Sequence, residues 1–182
     1  CFVALALSGC KDSPAPPERS PQDALDQARG QLLPYPQDFG SEFSQGIAAL
    51  KQLQKTRDLD KNLVMDAVLL RAEALTDLFL AARATGDPAL AEALEAVTDW
   101  ELQGDLSRSR NLQILAQEIH ETFELIHREL GDADPRGARA ALMSRFLRDV
   151  QAVVFVKKDR LLDTLEELET ALDGRYAHRA AF

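Results

Sequence analysis

One seam of apolar residues constrains the fold more than any other feature. Leu112, Leu115, Ile119, Phe123, Ile126 and Leu130 recur at steps of three or four. That rhythm lines one face of an α-helix, and a strand, with its period of two, cannot use it. A helix with one apolar face must bury it, so the chain has to supply further helices as cover. Start and stop signals divide the chain accordingly. Asp60 stands before one apolar-periodic segment, while Asp87-Pro88 and Asp134-Pro135 each set a capping carboxylate before a proline at the first helical position. Gly86, Gly104, Gly131 and Gly174 close segments.

Between these marks the spacing predicts helix after helix. The first runs from about Ser41 to Arg57 with Phe43, Ile47 and Leu50 on one face. The second, Lys61 to Thr85, carries Leu63, Val64, Val68, Leu70, Leu75, Leu78 and Phe79 over more than one face, as expected of a central helix. The third follows Pro88 with Leu90, Leu94, Val97 and Trp100, and the fourth, Asp105 to Leu130, holds the seam. The last begins at Pro135 and keeps a near-heptad rhythm through Met143, Leu147, Val150, Val154, Leu161, Leu165, Leu168 and Leu172, interrupted by Lys157. Val153-Val154-Phe155-Val156 alone could be a buried strand, but no second strand-like run exists to pair with it, so helix is expected there too. Connections of roughly two to six residues make consecutive helices antiparallel neighbours. The predicted fold is all-α, an up-and-down bundle of four or five helices over residues 38–182, with a long C-terminal helix, behind a Pro-rich N-terminal tether.

That tether is residues 10–37, where Pro14, Pro16, Pro17, Pro21, Pro34 and Pro36 among polar residues favour extended conformers and cannot assemble a core. Within it Ser20-Pro21-Gln22-Asp23 reads as a cap followed by proline, which predicts a short helix from about Pro21 to Arg29, ended by Gly30. Residues 1–9 are an uncharged apolar run that stops at small residues before Cys10, Lys11 and Asp12. Leu7-Ser8-Gly9-Cys10 resembles the lipobox of bacterial lipoprotein precursors. The resemblance implies a signal peptide cleaved just before Cys10, whose thiol carries lipid. With no initiator Met and no basic region ahead of the run, residues 1–9 are expected to be the end of a longer signal peptide. Two other readings compete. Residues 2–9 could begin a membrane-spanning helix, although eight residues cover only about 12 Å of a core roughly 30 Å thick; or the terminus is a fortuitous apolar stretch. By the same resemblance, Lys11 in place of the aspartate that retains lipoproteins in the inner membrane favours the outer membrane, facing the periplasm.

Composition narrows the function classes. A chain of 182 residues, 46% hydrophobic and 28% charged, is one ordinary domain with a sizeable core. A formal net charge of -9 argues against nucleic-acid partners, which call for a surplus of Lys and Arg. Both cysteines, Cys1 and Cys10, lie in the first ten residues, so the fold of the body owes nothing to disulfides. Charge is also lopsided. From Asp58 to Asp105 there are eleven acidic residues against three basic, whereas Arg136 to Arg160 holds seven basic residues against two acidic. Either these faces pair inside the bundle or stay solvated, or Asp66, Glu73, Asp77, Glu92, Glu95 and Asp99 form a docking surface for an envelope protein partner.

Candidate chemistry is sparse. Glu124-Leu125-Ile126-His127 has the E-x-x-H spacing that di-iron bundles use, but those need it twice, with further glutamates from two other helices. The nearest second set runs from Gln117 to His120, with a poor ligand in the carboxylate's place. Glu124, His127 and His120 are therefore weak metal candidates. The plainer expectation is a solvent-contacting helix flank in which Glu124 pairs with Arg128 at i,i+4. No Gly-x-Ser-x-Gly elbow or Gly-rich phosphate loop is present, and His178 sits close to the end of the chain. The sequence thus points away from an enzyme and implies no cofactor. It points instead to a lipid-anchored interaction or scaffold module, the alternative being a small-molecule or metal-binding bundle in the periplasm.

Overall fold

The computed structural model describes residues 20–32, 39–85, 90, 93, 108–151, 166, 167 and 170. Their regular elements are all helical: α1 (Pro21–Leu32), α2 (Ser41–Lys55), α3 (Lys61–Thr85), α4 (Arg108–Leu130) and α5 (Pro135–Gln151). The all-α bundle expected from the periodicity is what forms. Neighbours in sequence pack together, α1 on α2, α2 on α3 and α4 on α5, while α3 also meets α4, α1 and α5.

Capping chemistry fixes the starts. Ser20 Oγ accepts from the Asp23 N–H at 3.1 Å while the Ser20 N–H donates back to the Asp23 carboxylate at 3.3 Å, a reciprocal box around Pro21. Asp60 Oδ1 accepts from the Asn62 and Leu63 N–H groups at the head of α3, and Asp134 Oδ1 from the Arg136 N–H at the head of α5. Before α2 the chain passes through Phe39 in the left-handed region, φ 52°. Its buried ring stands edge-on to Phe43 with centroids 5.0 Å apart, which holds that turn in place.

Packing converges on α3. From Ala72 to Phe79 every residue is buried, so this helix presents no solvent face through its middle. The seam of α4 delivers Leu115, Ile119, Phe123 and Ile126 to the same core, flanked by the half-buried Leu112 and Leu130. Phe43, Ile47 and Leu50 of α2 arrive from another side. Each such side chain contributes about 1.5–3 kcal/mol through removal from water.

The N-terminal boundary differs from expectation. Residues 21–32, placed by composition in a linker, form α1 and bury Leu25, Ala28 and Leu32 in the common core. Gly30 does not end the helix, because it lies on the exposed face while Leu32, two residues on, gains full burial. Tertiary packing outweighs the roughly 1 kcal/mol that a mid-helix glycine costs.

The expected long C-terminal helix is described in part, as α5 and at residues 166, 167 and 170. Arg145 Nη1 of α5 lies 3.1 Å from the carboxylate of Glu167, a helical residue. On one straight helix those residues would stand about 33 Å apart. Val153 to Val156 and Lys157 lie outside the described residues. So does most of the expected third helix, including Leu94, Val97 and Trp100; Leu90 and Ala93 are helical and half-buried against the core.

α4 and α5 form a tight antiparallel hairpin. Gly131 adopts φ +72° and its N–H donates to the His127 carbonyl at 2.7 Å, closing α4 with a left-handed cap. Gly137, one turn into α5, then passes so near Gly131 that a Cβ there would overlap the Gly131 carbonyl oxygen. Gly137→Ala is expected to destabilise the fold by about 1–3 kcal/mol, read as a lower urea midpoint at unchanged slope. On the same assay Phe123→Ala should cost about 3–5 kcal/mol and Ile114→Ala, on the outer face of α4, no more than about 0.5.

Candidate functional site

The sequence directs attention to the flank of α4, and there the structure places His120, Glu124 and His127 along the face toward α5. His120 Nδ1 lies 3.0 Å from Ser144 Oγ and 3.3 Å from the Ser144 carbonyl oxygen. The Ser144 hydroxyl donates to Glu124 Oε1 in a short contact. One helical heptad further on, His127 Nδ1 lies 3.2 Å from the Gly137 carbonyl oxygen. Both histidines are half-buried and reach across to α5. They are not simply a solvated flank, and among the described residues Glu124 makes no ion pair with Arg128.

These contacts assign the protons. A carbonyl oxygen can only accept, so His127 must carry its hydrogen on Nδ1. The Ser144 proton is committed to Glu124, so His120 Nδ1 donates as well. A serine–histidine–acid relay needs the imidazole between hydroxyl and carboxylate, taking the hydroxyl's proton. Here the serine is in the middle and the imidazole donates toward it. Ser144 is moreover 1% exposed. The cluster joins α4 to α5 through these hydrogen bonds. Asp132 adds its carboxylate 3.7 Å from His127 Nδ1 at the end of the hairpin. Among the described residues no group of three His, Cys, Asp or Glu side chains stands close enough to hold a metal ion.

The acidic residues offered as a docking surface are arranged differently from that expectation. Glu73 and Asp77 are buried, at 2% and 4% exposure, and cannot present a face to a partner. Asp66 pairs with Arg136 at 2.9 Å. Glu92, Glu95 and Asp99 lie outside the described residues, as do Cys10 and His178. Asp66 and Glu73 therefore meet the basic start of α5 within the molecule.

Two arginines three residues apart make that meeting. Arg139 pairs with Glu73, its Nη2 donating to Oε2 at 2.8 Å and its Nε lying beside Oε1. A guanidinium, always charged and weakly hydrated, suits a carboxylate held inside the protein. Arg136 spans three residues at once. Its Nη1 reaches Asp66, its Nη2 reaches Asp134 Oδ2 at 2.7 Å and Asn62 Oδ1 at 3.0 Å, and its Nε reaches Asp134 Oδ1 at 3.1 Å. Asp134 thus caps α5 through the Arg136 N–H and holds the Arg136 side chain with the same carboxylate. The Arg136 side chain, joined by its backbone N–H, pulls the Asp134 carboxyl down to about 2, and the two aspartates in turn raise the Arg136 guanidinium. Lys61 and Glu129, 3.2 Å apart and more exposed, tie the head of α3 to the tail of α4 with about 0–1 kcal/mol.

Comparison of the chain with protein-family models, with curated proteins and with solved structures gives no match.

The network has two checkable consequences. Because the folded Asp134 carboxyl titrates below its ordinary value, its stabilising contribution is complete above about pH 4 and is lost as pH falls through about 2. Carboxyl NMR titration should show its midpoint near 2, and Arg136→Gln should move it back toward the usual carboxylate range. Separately, Arg139→Met removes the guanidinium that faces the buried Glu73 and should cost about 1–3 kcal/mol in urea unfolding. Adding Glu73→Leu to that variant should recover most of the loss.

Proposed function

We propose that the protein is a lipid-anchored module of the bacterial cell envelope, held at a membrane through Cys10, with the helical bundle serving as an interaction or scaffold domain. The observation that carries this reading is Leu7-Ser8-Gly9-Cys10 at the end of an uncharged apolar run and directly before Lys11 and Asp12. The chemistry needs a thiol to accept the diacylglycerol group and small neighbours so that an extended backbone enters a narrow protease site. Cys10, Ser8 and Gly9 meet those needs.

No helix of the described residues is long and apolar enough to cross a membrane. Attachment through acyl chains requires no such helix. Each buried CH₂ contributes about 0.8 kcal/mol, so one chain binds marginally whereas two or more anchor lastingly. The outer membrane, facing the periplasm, is the favoured site, following Lys11 at the position after the modified cysteine.

For the bundle, an interaction role accords with the way its reactive side chains are used. His120, Glu124 and Ser144 bind one another, His127 binds backbone, and Arg136 and Arg139 bind carboxylates of the same chain. Such groups rigidify a scaffold, and a rigid scaffold is what a docking module presents to its partner.

The test is intact mass and membrane fractionation of the full-length precursor, expressed in a Gram-negative host beside Cys10→Ser. Acylated mass in the membrane fraction, lost in the variant, is the expected outcome. An unmodified, soluble product from both would overturn the proposal.

A further inference from the structure

We draw no further inference here: the strongest candidate, the exposed apolar pair Ile114 and Leu125 on the outer face of α4, carries none because nothing in the structure shows what covers it.

Discussion

A helix buried on every side must find partners inside the protein for each polar group it carries. α3 is in that position from Ala72 to Phe79, and it carries Glu73, Thr76 and Asp77 into the interior. Thr76 solves the problem locally by donating to the Ala72 carbonyl at 2.8 Å. A carboxylate cannot, since it has no proton to give and its desolvation is costly. Glu73 is matched by a guanidinium from α5, that of Arg139. The hairpin turn at Gly131, the cap at Asp134 and the span of Arg136 to Asp66 all bring the head of α5 within reach of α3.

Helical periodicity made most of the fold legible. The seam of α4, the many-sided apolar pattern of α3 and the aspartate caps at 60 and 134 are local signals, and each had its expected structural result. What periodicity could not reveal was contact between distant segments. Composition placed residues 21–32 in a linker because prolines surround them, but Leu25, Ala28 and Leu32 at helical spacing bind them to the core. Likewise a near-heptad rhythm reads as one long helix whether the chain runs straight or folds back, and only the Arg145–Glu167 pair distinguishes the two.

The candidate site shows the same division. The E-x-x-H spacing correctly put Glu124 and His127 on one side of α4, but spacing on a single helix says nothing of what faces it. Nothing on α4 itself points to Ser144 or to the Gly137 carbonyl. A signal was available in retrospect: His120 and His127 are seven residues apart, and so are Gly137 and Ser144. The acidic tract was readable as charge but not as burial, because a carboxylate destined for an internal arginine and one destined for water look alike in a sequence.

That matched spacing has a consequence for alignment of the two helices. Two rungs seven residues apart on both sides form a ruler with a repeated mark, so the rungs alone would also tolerate a displaced pairing with His127 opposite Ser144 or His120 opposite Gly137. Such a slide would move α5 along α4 by about 10.5 Å. The connection from Gly131 to Asp134 is far too short to permit it, and the backbone approach of Gly137 to Gly131 exists in one alignment alone. The length of the loop therefore excludes the displaced alignments that the two rungs by themselves would accept.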